Sequence, residues 1–189
     1  TTGHLIKLKK KAKVVTTRKL VISTDYYSEH LGQKVAKLIS AEYIRVPVNV
    51  GEKNNDSVLR KALAIGADKA VRINQVAQNS KIVSKCIANY CQKNSFDLIF
   101  CGRESIDYNS GQVPGFLASD LDVPFINGCT GLDLEENTIK ITREIDNGKE
   151  ICESSLPAVI AGQKGLVEEK DLKIPSMRGI MTARTKPLE

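Results

Sequence analysis

The chain has no tryptophan, two methionines and two histidines, and phenylalanine and tyrosine together make up 5% of its residues. Each shortage excludes something. The histidines, His4 and His30, have no serine or cysteine placed to share a proton with them, so neither a Ser/His nor a Cys/His hydrolase arrangement is legible. Ser105 beside Glu104 and Asp107 lacks a base and reads as loop chemistry. No apolar run approaches the ~20 residues that cross a bilayer. The basic opening is not followed by the unbroken apolar stretch and small-residue cleavage site of a secretory signal. The five cysteines, Cys86, Cys91, Cys101, Cys129 and Cys152, form no CxxC and fall at irregular spacings. They read as free thiols in a reducing compartment rather than zinc ligands or a disulfide framework.

What is present begins with charge. The formal net charge is +6, yet residues 1–20 alone carry seven cations and no acid, so +6 for the whole against +7 there leaves the other residues at −1. A basic opening segment without interleaved aromatics does not make a base-stacking surface, so no nucleic-acid partner is expected. The body is electrically neutral.

From Lys19 the chain alternates strand and helix signals. KLVIS over residues 19–23 and the run from Tyr43 to Val50 read as strands, and residues 26–41 place Leu31, Val35, Leu38 and Ile39 at helical spacing. Residues 56–65 suit a helix capped by Asp56 and closed by Gly66. Ala70–Ile73 is a brief strand, and residues 80–92 a helix carrying Ile82, Val83, Cys86, Ile87 and Tyr90. Such alternation with short connections implies a doubly wound, mainly parallel sheet of the α/β class. Past Leu121 the pattern changes. NTIKITRE over 137–144 alternates with period two, Asp146-Asn147-Gly148 signals a hairpin, and Ile151–Ile160 is expected to return antiparallel, an addition to the sheet edge. Glu144, Asp146 and Glu150 flank that hairpin and read as solvated; Asp68 serves a turn.

The stretch FDLIFCGRESIDYNSGQVPGFLA, residues 96–118, carries the candidate site. Phe96 and Leu98–Cys101 are a continuous apolar run, the mark of a strand covered on both faces. Gly102 ends it, and Arg103–Pro114 is a polar loop in which Asp107, Asn109, Ser110 and Gly111 tolerate turn or left-handed conformations. A helical spacing resumes at Val113, Phe116, Leu117 and Leu121. In open parallel sheets ligands bind outside the carboxyl ends of strands, where loop amides and a helix N-terminus face a phosphate. The loop matches neither GxxxxGK[ST] nor GxGxxG. The last stretch, from Gly162, has no sustained period and sets Leu172, Ile174, Met177, Ile180 and Met181 among charges around Pro175. Such anchors cannot form a core of their own and suit a partner protein.

Several blocks in order resemble the beta subunit of electron transfer flavoproteins, the FixA group included. They are VNVGE at 48–52, RKALAIGADKAVRI at 60–73, DLIFCGRESIDYNSGQVPGFLA at 97–118, TREIDNGKE at 142–150, LPAVIAGQKG at 156–165 and IPSMRGIMTARTKPL at 174–188. Arg143, Asp146, Gly148 and Glu150 followed by LPAVI are similar to the family signature, with Asn147 and Cys152 departing from it. Residues 1–20 depart from the family's opening strand and turn.

The resemblance implies a Rossmann-like, adenine-nucleotide alpha-hydrolase-like fold with an antiparallel hairpin and an extended C-terminal arm. The chain divides as a basic segment 1–18, a nucleotide-binding domain 19–163 and a partner-binding arm 164–189. It further implies an electron carrier without catalysis of its own, paired with an alpha subunit that holds the redox FAD, and binding AMP or a second FAD itself. Electrons would come from acyl-CoA or other dehydrogenases and pass to a quinone oxidoreductase, in the cytoplasm of a bacterium or the mitochondrial matrix of a eukaryote. Val50 and Gly51 would touch adenine, and Gly102, Arg103, Ser105, Ile106, Asp107, Asn109, Ser110, Gly111, Gln112 and Val113 would wrap ribose and phosphates. Ile174 corresponds to a partner-recognition anchor. Two rivals remain at this level: a non-redox scaffold with an empty site, and an ATP-using enzyme of the related hydrolase superfamily, which would need a glycine-rich loop after its first strand.

Overall fold

The computed structural model describes residues 2–9, 18–24, 42–105, 109–135, 137–166 and 174–189, with backbone alone for 2–9, 18–24, 42 and 43. Among the described residues nine strands form one sheet: β1 (Thr2–Lys9), β2 (Arg18–Thr24), β3 (Glu42–Val50), β4 (Val71–Ile73), β5 (Leu98–Gly102), β6 (Phe125–Glu135), β7 (Thr138–Ile145), β8 (Gly148–Ser155) and β9 (Ala158–Gly162). Four α-helices stand among the described residues: α1 (Asp56–Ala64), α2 (Ser80–Asn94), α3 (Gln112–Leu121) and α4 (Met177–Ala183). The strand order is β4-β3-β1-β2-β5-β9-β6-β7-β8. The helix expected over residues 26–41 lies outside the described residues, as does His30.

The sheet is mixed rather than mainly parallel. β3 with β4, β2 with β5, β5 with β9 and β9 with β6 are parallel, whereas β1 runs antiparallel to its neighbours and β6, β7 and β8 form an antiparallel meander. The sequence pattern anticipates β7 and the turn into β8 but not β6. That strand reads FINGCTGLDLE, and its glycines hide it. Gly128 has φ +70°, and the register shifts there on both sides of the strand, between Ile126 and Cys129 against β9 and between Cys129 and Gly131 against β7. A bulge of this kind bends a strand so that it can leave one partner for another. The single return strand expected over Ile151–Ile160 is two. The Leu156–Pro157 peptide is cis, and beyond it β9 pairs parallel with β5 in the sheet interior rather than extending the hairpin edge.

Burial on both faces explains the apolar run at β5. Leu98 and Phe100 pack with Ile126, Leu132, Ile139, Ile141 and Ile160, while the alternate residues Ile99 and Cys101 pack with Val46, Val48, Ile87, Leu117 and Val159. Alternate residues of a strand point to opposite faces, so neither face of β5 is left for a polar side chain. The second group includes Val83, Ile87, Ala88 and Cys91 of α2 and Val113, Leu117 and Ala118 of α3, which fixes α3 against the sheet. Cys91, Cys101 and Cys129 are buried and all five cysteines are free. Burial, with Cys101 adding to it, pushes the Cys91 thiol up, so it stays neutral.

Helix α1 begins one residue earlier than a cap at Asp56 requires. A short 3-10 turn, Lys53–Asn55, brings the chain into helical conformation first, Asn55 takes the cap position, and Asp56 instead accepts from Arg72 Nε at 2.7 Å. Gly66, with φ +125°, follows the helix end, and its N–H donates to the Leu63 carbonyl.

Between α2 and α3 the Asp120 carboxylate accepts from Lys81 Nζ at 2.7 Å and from the buried Ser84 hydroxyl at 3.2 Å. The Lys81 hydrogen bond lowers the Asp120 pKa, partial burial opposes it, and the Ser84 hydroxyl and the charges of Lys81 and Lys85 lower it further. A carboxyl depressed in the folded state stabilises above its unfolded value of about 4 and loses that contribution as pH falls through the folded value. Replacing Asp120 with asparagine is therefore expected to destabilise the chain at pH 7 and to make progressively less difference below about pH 4. Urea midpoints of both proteins across that range measure it; a difference that grows on acidification would contradict the clamp.

Candidate functional site

Because β3, β4, β5 and β9 run parallel, their carboxyl ends open on one edge of the sheet, the edge at which this class of sheet takes ligands. Val50 ends β3, buried and paired with Ile73, and the Gly51 N–H donates to the Ile73 carbonyl at 3.1 Å. A Cβ on Gly51 would lie 2.0 Å from Asn55 Nδ2 and 3.0 Å from Asn49 Oδ1. The Asn55 amide donates to the buried Asn49 side chain at 3.0 Å and lies across Gly51. A side chain at this position would displace the Asn55 amide.

At the end of β5, Gly102 pairs with Gly162, and the Arg103 N–H donates to the Gly162 carbonyl at 3.1 Å. The base of the loop closes through Ser105 N–H to the Ser110 carbonyl at 3.0 Å, with Asn109 left-handed at φ +48°. Ile106 and Asp107 lie outside the described residues. Gly111 takes the N-cap position of α3 and contributes no side-chain cap, so the amides of the first turn are not satisfied by that residue. A Cβ on Gly111 would stand 2.9 Å from the Arg103 carbonyl oxygen. There is no acidic residue in the first turn of α3 to compete with an anion, and Val113 beneath it is buried among the residues that hold the helix down.

The loop is tied on two sides. Ser110 Oγ and Ser80 Oγ lie 3.3 Å apart, joining it to the start of α2. Arg103 Nη1 donates to Gln163 Oε1 at 2.7 Å, and Gln163 Nε2 donates to the Glu144 carboxylate on β7. Arg143 pairs with Glu150 across the β7–β8 ladder. Among the described residues the structure therefore gathers the sequence-chosen ones into two places, Val50–Gly51 and the stretches 102–105 and 109–113, with Val50, Cys101 and Val113 sharing one core group. Asn49, Asn55, Ser80 and Gln163 escaped sequence reading. Asn49, a polar residue inside the apolar run VPVNV, was the one with a visible signal.

The arm splits in character. Ile174, Met177, Ile180 and Met181 are exposed at 87, 77, 42 and 67%, and Leu172 lies outside the described residues. Pro175 precedes Ser176, whose hydroxyl caps α4 by accepting from the Gly179 N–H at 3.0 Å. The other side of α4 joins this chain's own core: Ala183 is buried with Leu59 and Leu63 of α1, and Arg60 Nη1 donates to the Ala183 and Lys186 carbonyls at 2.7 and 2.9 Å. Gly179 faces α1 so closely that a Cβ would lie 2.4 Å from the Ala64 carbonyl oxygen. A glycine-to-alanine change in an open helix gains up to about 1 kcal/mol. At Gly179 the overpacking term of about 1–3 kcal/mol opposes it and wins. Gly179→Ala is expected to weaken the docking of α4, seen as faster amide exchange over residues 177–183; slower exchange would show that the contact is not tight.

Among the described residues there is no group of three or more His, Cys, Asp or Glu side chains able to hold a metal ion, and no helix long and apolar enough to cross a membrane. The arrangement offers amides, small residues and one arginine, groups that can donate to an anion.

The family model for the electron transfer flavoprotein domain matches residues 27–189. The chain is 37% identical over 148 residues to the electron transfer flavoprotein subunit beta of Bacillus subtilis, covering 75% of this chain and 56% of that protein. It is 33% identical over 144 residues to the subunit beta of Syntrophomonas wolfei, covering 76% and 56%. With the human subunit beta it shares 30% over 149 residues, covering 76% and 57%. The chain thus spans a little over half the length of these relatives.

Proposed function

Since this chain belongs to the electron transfer flavoprotein family, we propose that it is a beta-type subunit that binds an adenine nucleotide and pairs with an alpha-type subunit to carry electrons. The observation that carries the reading is the cradle at Gly111. An N-terminus of α3 without a side-chain cap and a glycine whose Cβ would meet the Arg103 carbonyl stand in one loop with an arginine, and together they support the binding of phosphates here.

The nucleotide is AMP or a second FAD, with the redox FAD held mainly by the alpha subunit. Val50 and Gly51 take the adenine, against the Asn49–Asn55 amide pair, and Arg103, Ser105 and the stretch 109–113 take ribose and phosphates. When bound, a flavin supplies the one- and two-electron chemistry; this chain's residues bind, orient and exclude water. Acyl-CoA or other dehydrogenases are the donors and a quinone oxidoreductase the acceptor. The exposed Ile174, Met177 and Met181 form a partner-facing apolar surface, while Ala183 and Leu188 hold the segment to the chain itself.

The test is to co-express the chain with the alpha subunit, denature the purified complex and identify the released nucleotides by chromatography and mass. One FAD and one AMP per heterodimer support a simple carrier, and two FAD a bifurcating one. A complex that releases only the alpha subunit's nucleotide refutes nucleotide binding by this chain and favours a scaffold.

A further inference from the structure

We infer that Gln163 is a positioning residue for phosphate recognition: it holds Arg103 against the nucleotide loop by bridging it to Glu144. The inference rests on the nucleotide reading above. Its basis is a three-residue chain that joins the loop after β5, the end of β9 and β7. Arg103 Nη1 donates to Gln163 Oε1 at 2.7 Å, and Gln163 Nε2 donates to a Glu144 carboxylate oxygen. Only this orientation of the amide suits both neighbours, because a guanidinium can only donate and a carboxylate can only accept. The amide dipole is thus aligned between a cation and an anion.

The strut is itself held. The Gln163 N–H donates to the Cys129 carbonyl at 2.9 Å, and its carbonyl accepts from the Leu166 N–H at 3.2 Å. The bulge at Gly128 backs the amide, since a Cβ there would lie 3.4 Å from Gln163 Oε1 and 3.5 Å from the Glu144 carbonyl oxygen. At the other end, the Arg103 backbone touches both sides of the site: its N–H is on Gly162, and its carbonyl faces Gly111 at the head of α3. A long, exposed arginine otherwise samples many rotamers. Gln163 uses one of the guanidinium's five donors, and the fork retains others for a phosphate.

A strut that only stabilised the fold would weaken every ligand alike. One that aims a cation acts on the phosphate alone. The experiment measures the affinities of AMP and adenosine for the nucleotide-depleted full chain by calorimetric titration, in wild type, Arg103→Met, Gln163→Leu and the double variant. Arg103→Met is expected to lower the AMP-to-adenosine affinity ratio about tenfold, the loss of a charge-assisted hydrogen bond. Gln163→Leu should lower the same ratio by at least about threefold with adenosine affinity unchanged, and the double variant should match Arg103→Met. Equal losses for AMP and adenosine in Gln163→Leu, an unchanged ratio in that variant, or an unchanged ratio in Arg103→Met would each overturn the inference while leaving nucleotide binding intact. A wild-type chain that binds neither compound would overturn the nucleotide reading, and this inference with it.

Discussion

A Gly111→Val variant is expected to purify with its nucleotide site largely empty. The glycine's φ of −96° is open to any residue, so backbone strain is not the reason. Space is. A Cβ would stand 2.9 Å from the Arg103 carbonyl, and valine's two methyl groups add further bulk at the head of α3. Either the loop opens or the ligand is excluded, and affinity should fall by at least about tenfold, a cost of 1.4 kcal/mol or more. Nucleotide released per chain on denaturation measures it. Gly148→Ala is the matched control, because a Cβ on Gly148 meets nothing within 4 Å. If valine at 111 leaves the nucleotide content unchanged, the ligand does not sit on this loop.

The largest loss of stability is expected from Phe100→Ala. Phe100 is fully buried in the middle strand β5, beside Ile160 of β9 and within the group formed with Leu98, Ile126 and Ile141. Neighbouring strands on a sheet cannot collapse into the space as a loop could, so the transfer and cavity costs both apply. Together they amount to about 4 kcal/mol. For a chain of this size that lowers the melting temperature by roughly 10 °C, a large part of the 5–15 kcal/mol that holds a typical domain together. Ile151→Ala, at a position 75% exposed on the outer strand β8, should change stability by less than about 0.5 kcal/mol. Thermal melts of the pair separate the two; similar melting points would mean that β5 is not central to the core.

Strand β5 and the start of α3 were legible in the sequence for a reason that also explains what was not. A strand buried on both faces must be apolar at every position, and Leu98–Cys101 prints that requirement directly. The loop after it must turn and start a helix, and Asn109, Ser110 and Gly111 print that too. Strand β6 answers to a different constraint. Its glycines at 128 and 131 serve a bulge between two partners, and a bulge removes the alternation by which strands are recognised. At Pro157 the sequence shows a proline, but whether it ends a strand or turns the chain into a new one depends on β5 lying ready to pair with β9.

The C-terminal arm shows the same division within one short helix. Its apolar residues are visible as anchors, yet Ala183 is buried against α1, with Leu188 beyond the helix half-buried on the same cluster, while Met177 and Met181 stay exposed. The bonds that decide this join Arg60 to residues more than 120 positions away, beyond the reach of any local pattern.

By itself the sequence determined the α/β class, the position of β5, the glycine-bearing loop after it, the hairpin signature from Arg143 to Glu150 and, through the blocks between Val48 and Leu188, the family. Those are local properties, written wherever a single segment meets its own requirement for burial, turning or close approach. The tertiary structure alone decided the mixed order of the sheet, the Asn49–Asn55 amide pair over Gly51 and the Arg103–Gln163–Glu144 bridge. Each joins side chains or strands whose positions depend on packing between segments distant in the chain, and no residue's own chemistry announces its partner.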